Sequence, residues 1–439
     1  MGYTFKGGYH PPDGKSLSEH CKIEQIPQPD TVAIHLSQHI GAPSKPIVSI
    51  GEEVKVGQPL SEAAGFVSIP VHSSVSGKVK AIAKIADSNG VKHDAVIIEN
   101  DKEDTLFEGV GVKRDYSDFT PDDMRKIIGA SGVAGMGGAR FPTHVKLSVP
   151  KDKKITHVIL NGVECEPYLT ADDRLMQETP ETIVEGLLIM MKICNAENGI
   201  IGIELNKPKA IETMEKAVAN IPNVKIIGCK VKYPQGGEKQ LIVAALGKEV
   251  PSGGLPMDVG AVVSNVGTAH CIYEAIALGK PLYERVVTVT GEGVNSPKNI
   301  LAKIGTPVKN LVDYAGGLKE DIHKVINGGP MMGASMSDLL SPVHKGTSGV
   351  LCITKADGEL LEEQPCLSCG KCVTVCPMRL VPCSMATLVE FGKYEEAQKL
   401  GIMDCISCGT CAYVCPSKRN LVHYFIRGKG EVMKMKTTR

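Results

Sequence analysis

The 439-residue chain has no tryptophan, no net charge and no long apolar run. Lys+Arg and Asp+Glu number 49 each, so it lacks the basic excess of a broadly nucleic-acid-binding surface. No apolar segment approaches the ~18 residues of a spanning helix. Met1 to Ile50 is polar, with scattered charge and several prolines, and does not read as a signal peptide. These absences predict a cytosolic, reduced protein in which disulfides are disfavoured. Hydrophobic residues make up 42% of the chain, enough for buried cores, and its length suits roughly two to four domains.

What is abundant is cysteine, 15 in all. Eight fall into two copies of C-x2-C-x2-C-x3-C-P. The first is Cys366, Cys369, Cys372 and Cys376 before Pro377; the second is Cys405, Cys408, Cys411 and Cys415 before Pro416. Three thiolates on one short loop can grip one face of an iron–sulfur cube. The fourth, ahead of proline, ligates the other cluster in two-cluster ferredoxins. That rule predicts Cys366, Cys369, Cys372 and Cys415 for one [4Fe–4S] cluster, and Cys405, Cys408, Cys411 and Cys376 for the other. Zinc is the alternative, but its sites usually use two CxxC pairs across a longer loop. Cys383 fits neither motif and reads as an incidental thiol. Cys21, Cys165, Cys194, Cys229, Cys271 and Cys352 read as small buried hydrophobes, and only Cys165 lies inside another motif. Between the cysteine motifs, Leu388, Phe391, Tyr394 and Ala397 recur at helical spacing, predicting one helix over Ser384 to Leu400 despite Gly392.

The first hundred residues carry short alternating strands broken by glycine turns, Ile47 to Ala63 and Val71 to Ile85. They resemble the half-motifs of lipoyl- or biotinyl-type sandwich domains. Lys78 lacks the motif that carries such a cofactor, so a structural sandwich is expected. From Pro121, helical and strand-like segments alternate, predicting a mainly parallel α/β layer. From Arg285 a small α+β unit follows. Asp357 to Glu363 reads as an acidic linker. The tail from Pro416 to Arg439 has seven Lys/Arg against one acid. It is either a docking surface for an acidic partner or anionic lipid, or a solvated basic end.

Gly129 to Lys146 reads GASGVAGMGGARFPTHVK. Such glycines let backbone amides approach a phosphate. It is not a Walker A loop, since no GK[ST] ends it, and no strand leads into it as a dinucleotide fingerprint requires. NGVECEP (Asn161 to Pro167) follows the strand HVIL, at the strand end where α/β ligands bind. YPQGGEKQL (Tyr233 to Leu241) and VVSNVGTAH (Val262 to His270) repeat the theme of glycine, acid and amide.

Taken together, GMGGARFPTHVK, NGVECEP, YPQGGEK and VSNVGT resemble the flavin-bearing, NADH-oxidising subunit of respiratory complex I and its relatives. Residues 285 to about 341 resemble the soluble-ligand-binding β-grasp domain that follows it. With the sandwich and the doubled cluster motif, the order of motifs from about Phe5 to Tyr424 resembles the C subunits of Rnf ion-translocating ferredoxin:NAD oxidoreductase complexes. The resemblance implies a multidomain α/β plus α+β fold. Residues 1–112 would form a barrel-sandwich hybrid and 113–284 a Rossmann-like FMN- and NADH-binding domain. Residues 285–345 would form the β-grasp domain, and 346–439 a mainly helical ferredoxin module with two [4Fe–4S] clusters and the basic tail.

By position, the resemblance places Gly135, Gly137 and Gly138 along the FMN phosphate and ribityl chain, with Lys146 offering a cation to the flavin. Asn161 and Glu164 would contact FMN, and Gly236, Val263, Asn265 and Thr268 would complete its pocket. Phe141, Glu166, Tyr233 and Glu238 would face NADH, with Glu166 and Glu238 orienting the nicotinamide. Taken alone, Phe141 and Tyr233 read as packing, and Glu166 and Glu238 as caps or surface acids. Two positions depart from the complex I pattern: Arg140 replaces a glycine, so that either the loop approaches differently or Arg140 itself meets a phosphate, and Gly237 replaces an acid, so that one expected contact is missing.

The implied function is hydride exchange between NAD(H) and FMN, with single electrons relayed through two clusters to or from other subunits. The implied setting is peripheral, on the cytoplasmic side of the cell membrane, held by partner subunits, with ferredoxin an indirect partner and no nucleic acid. Two alternatives stand beside it. One is the flavin subunit of a soluble NADH-dependent hydrogenase or formate dehydrogenase. The other is a non-catalytic β-grasp docking protein.

Overall fold

A computed structural model describes residues 2–358 and 362–437. Near the N-terminus, alternating valines and isoleucines build an antiparallel sheet in the order Thr31–His35, Lys92–Asn100, Gly77–Ala86 and Glu53–Val54. A two-stranded ladder, Lys45–Pro46 with Ser61–Glu62, lies beside it. Period-two placement puts Val32, Ile34, Val79, Val96 and Ile98 into one buried cluster with Leu60 and Val71. Lys78 pairs opposite Glu53 within its strand, not at a hairpin tip.

The central domain holds a four-stranded parallel sheet in the order Val224–Cys229, Asn198–Glu204, His157–Gly162 and Ala261–Asn265. Its strands are almost wholly buried, as expected of a sheet covered on both faces. Helices Pro180–Cys194 and Pro208–Val218 make the crossovers. The first strand, His157–Gly162, is internal. The chain moves out to one side and then returns to lay Ala261–Asn265 on the other. The strand order therefore reverses between these two strands, where Asn161 and Asn265 are register partners. Open α/β sheets bind ligands at such a switch point.

The β-grasp sheet has six strands in the order Ile23–Gln25, Lys298–Lys303, Glu284–Thr290, Gly349–Thr354, Ile322–Asn327 and Ala334–Ser335. This corrects two expected boundaries. Residues 23–25, assigned to the sandwich, form an edge strand here. Residues 349–354, assigned to the cluster module, form an internal strand and carry the buried Val350 and Cys352. Neither segment has a sheet of its own to satisfy its backbone, so both join this one.

The cysteine-rich module is helical, around Met385, Ala386, Val389, Ala397, Ile402, Leu421 and Phe425. The single helix expected over 384–400 is two, Pro382–Glu390 and Tyr394–Lys399. Gly392 has φ +70° and turns the chain between them. Within the basic tail, Leu421–Thr437 is a helix that buries Phe425 and Val432 and leaves Arg427 and Lys434 exposed. Arg419 pairs with Glu363 and Glu390, and Lys429 donates to the Cys405 carbonyl. Of the expected acidic linker, residues 357 and 358 end the helical turn Lys355–Gly358, and 359–361 lie outside the described residues. Among the described residues, no helix is long and apolar enough to cross a membrane.

Candidate functional site

The glycine-rich loop leaves the helix Pro121–Ala130 and doubles back on itself. Ala134 bridges to Pro142, and the Gly135 amide donates to the Phe141 carbonyl at 3.0 Å. The loop is pinned over the switch point. Thr268 is fully buried, and its Oγ1 accepts from the Met136 amide at 3.0 Å. Gly137 lies so close to Asn265 that a Cβ there would stand 2.8 Å from its amide nitrogen. Gly138 has nothing within 4 Å of such a Cβ, so its backbone faces open space. The loop thus forms a glycine cradle over the switch point. Arg140 has φ +58°, the left-handed conformation natural to the glycine it replaces. Its aliphatic stem lies across Gly346.

Around the cradle, Asn161 donates through Nδ2 to the Gly236 carbonyl at 2.8 Å. Asn265 caps the helix Val266–Leu278 through the Gly267 amide and donates to Asp172 at 2.6 Å. Glu164, in the left-handed region at φ +46°, accepts from the Asp172 and Asp173 amides at 2.8 and 3.2 Å. It thereby caps the helix Ala171–Glu178. Lys146 and Glu238, expected to serve flavin and NADH separately, face each other at 2.7 Å, and both are partly exposed. Glu238 opens the helix Glu238–Leu246 directly after Gly237.

Two expected site residues are buried. Val263 belongs to the buried cluster with Ile159, Ile200 and Leu241, two residues inside its strand. Tyr233, expected to face NADH, is 1% exposed. Its hydroxyl lies 3.5 Å from Glu166, and the Met331 amide donates to the same carboxylate at 3.1 Å. Burial pushes the Glu166 carboxyl up to about 7. Phe141 remains half-buried at the loop end.

The eight motif cysteines gather into two cavities, crossed as the spacing rule requires. One is lined by Cys405, Cys408 and Cys411 with Cys376, beside Met378 and Phe425. The other is lined by Cys366, Cys369 and Cys372 with Cys415. Four thiols converging from two loops fit a cubane cluster in each. The first cavity abuts the flavin domain. Gln240 Nε2 donates to Met378 Sδ at 3.2 Å, and Ser252 donates to Asp404 at 2.6 Å. A Cβ on Gly409 would stand 3.0 Å from the Met331 carbonyl. We call this the inner cavity. The other is outer: Cys366 and Cys369 are exposed, and Leu367 is 70% exposed.

Several contributors were not read from the sequence. Cys383, taken as incidental, lines the outer cavity, brought there by the first turn of Pro382–Glu390. Lys15, 4% exposed, reaches the Glu164–Leu169 loop from the far N-terminus. Lys345, also buried, donates to the Gly132 and Pro70 carbonyls at 2.6 and 3.0 Å and ties the glycine loop to two other domains. A Gly/Pro-rich stretch, GGYHPPDGK, runs up to Lys15; nothing local marked Cys383 or Lys345.

Comparison with known proteins agrees with this layout. The family model of the RnfC barrel sandwich hybrid domain matches residues 3–103, and that of the Nuo51 FMN-binding domain matches 128–274. The SLBB domain matches 286–335 and the 4Fe-4S dicluster domain 359–416. The chain is 49% identical over 422 residues to the C component of the proton-translocating ferredoxin:NAD(+) oxidoreductase complex of Clostridium ljungdahlii, covering 96% of this chain and 92% of that one. It is 46% identical over 430 residues to the Na(+)-translocating counterpart of Acetobacterium woodii, covering 98% and 97%. Among solved structures, an NAD+-reducing [NiFe]-hydrogenase in the H2-reduced state matches with TM-score 0.50 and 18% identity. That match covers 70% of this chain and 61% of that one, a likeness of fold alone.

Proposed function

The chain belongs to the family of C subunits of ion-translocating ferredoxin:NAD(+) oxidoreductase complexes, and we propose that it is the arm of such a complex that handles the nicotinamide. It is an NAD-linked oxidoreductase subunit that holds FMN and two [4Fe–4S] clusters and works with other subunits. A flavin, when bound, exchanges a hydride with nicotinamide and single electrons with iron–sulfur clusters. The protein's part is to hold, align and insulate.

The glycine cradle of Gly135, Gly137 and Gly138, with Asn161 and Asn265 beneath it, is the proposed FMN seat. Thr268 fixes the loop and Glu164 fixes the neighbouring helix. Glu166 and Glu238 are proposed to orient the nicotinamide, with Lys146 balancing Glu238. The inner cavity is the proposed first station beyond the flavin, and the outer cavity is the exit toward a partner subunit. Ferredoxin is an indirect partner, reached through those subunits. Attachment is proposed to be peripheral, through partner subunits on the cytoplasmic side.

The observation that carries this reading is the position of the inner cysteine cavity against the domain that holds the glycine cradle. Its test is the composition of anaerobically purified protein. About eight irons, eight sulfides and one FMN per chain are expected, with NADH bleaching both flavin and cluster absorption. Protein that binds zinc in place of iron and sulfide, and takes up no flavin, would exclude it.

A further inference from the structure

The loop that carries Glu164 and Glu166 is folded against its own preferences. Glu164 and Tyr168 both adopt positive φ, +46° and +69°, with no glycine to ease them. In this shape the carbonyls of Glu164, Glu166 and Leu169 converge on one point. Converging carbonyl dipoles repel unless a donor sits among them. Lys15 supplies it: its Nζ lies 3.0, 2.9 and 2.5 Å from those three oxygens.

Lys15 comes from a strap that crosses the molecule. The Gly8 amide donates to the Val375 carbonyl, beside the ligand Cys376. Tyr9 exchanges backbone hydrogen bonds with Tyr233 and packs its ring on Tyr413 at 5.4 Å. The Tyr168 amide donates to the Asp13 carbonyl at 2.6 Å. Gly14 lies so close to Tyr168 that a Cβ would fall 2.5 Å from its ring, at φ +58°. The strap thus touches a cluster loop at one end and the acidic loop at the other. Around the ammonium stand Glu164, Glu204 and a second buried cation, Lys207, which donates to the Val163 carbonyl at 2.8 Å.

We propose that Lys15 is a positioning residue for the nucleotide site: its ammonium holds the Glu164–Leu169 loop in its strained shape and so sets Glu164 against the helix Ala171–Glu178 and Glu166 beside the cleft. The inference rests on the reading of that cleft as the FMN and NADH site. It is tested in the full-length, anaerobically reconstituted chain with Lys15→Met and Lys15→Arg. The readouts are FMN affinity by quenching of free flavin fluorescence, KM and kcat for NADH:ferricyanide reduction, iron content and Tm. Lys15→Met is expected to weaken FMN binding and raise the NADH KM at least tenfold, with iron content unchanged. Lys15→Arg is expected to restore little, because a planar fork cannot meet three carbonyls at one point. Should Lys15→Met fail to fold, Lys15→Arg keeps the buried charge and decides alone. Wild-type FMN affinity and KM in a folded variant, even with a lower Tm, would overturn the proposal and leave Lys15 a structural residue. Wild-type chain that takes up no FMN would instead sink the reading of the cleft.

Discussion

Glu166 is held where its carboxyl favours the proton. Burial is the main cause, and it raises the group from the ordinary 4.5 to about 7. A carboxyl with a raised folded-state value stabilises the fold fully below its unfolded value. That contribution is lost as pH climbs from about 4.5 through about 7. In the absence of nucleotide, Glu166→Gln should therefore lose less stability over that window than the wild type, as read by urea midpoints at about pH 5 and about pH 8. Equal losses would show that Glu166 is not held this way. Cys383 allows a second test at this scale. It lines the outer cavity, but the crossed set already supplies four thiols. Cys383→Ser should keep about eight irons per chain, whereas Cys415→Ser should lose about four. The difference between these cysteines explains what was legible. The eight ligands declare themselves through local spacing. Cys383 and Lys15 become neighbours of the sites only through helix placement and a crossing strap, which no local pattern encodes. Val263 and Tyr233 show the other side of this: each stands in a motif read for its polar residues, while its own side chain is packed in the core.

At the level of elements, the parallel sheet and its helices were legible because apolar period and buried strand runs are local signals. Their ends and breaks were less so. Gly392 divides a helix whose apolar spacing alone reads as continuous. Closer packing depends on glycines whose importance shows only in three dimensions. Gly186, in Pro180–Cys194, meets the helix Val266–Leu278 so tightly that a Cβ would fall 1.9 Å from the Ala269 carbonyl oxygen. The backbone cannot yield that space without parting the helices. Gly186→Ala should then cost about 1–3 kcal/mol or more, lowering Tm by roughly 2–4 °C per kcal/mol. Gly138 is the opposite case, with ordinary φ and open space at its Cβ position. Gly138→Ala should leave Tm unchanged and still weaken FMN binding several-fold, because the methyl enters the cradle. A stable Gly138→Ala protein with wild-type FMN affinity would remove that glycine from the flavin seat.

On the scale of the whole molecule, the order of the sequence motifs is not the order of the sites in space. The first cysteine motif supplies most of the outer cavity, and the second supplies most of the inner one. The second motif meets the β-grasp domain through Gly409 beside Met331, whose amide in turn binds Glu166 of the flavin domain. The strap supports the same face through Tyr9 and Tyr413. Tyr233 is buried beside Glu166, whereas Leu367 beside Cys366 is exposed. If electrons follow this geometry, the two clusters are not interchangeable. A chain lacking the outer cluster through Cys369→Ser should still show the paramagnetic signal of one reduced cluster after NADH is added. Its electron delivery to the assembled complex should stop. A chain lacking the inner cluster through Cys408→Ser should show flavin bleaching by NADH while the remaining cluster stays oxidised on the same timescale. Anaerobic electron paramagnetic resonance of the two variants, frozen seconds after mixing, reads the difference directly. Prompt reduction of the outer cluster in Cys408→Ser would mean that the flavin reaches it without the inner one, and the assignment of inner and outer stations would have to be reversed.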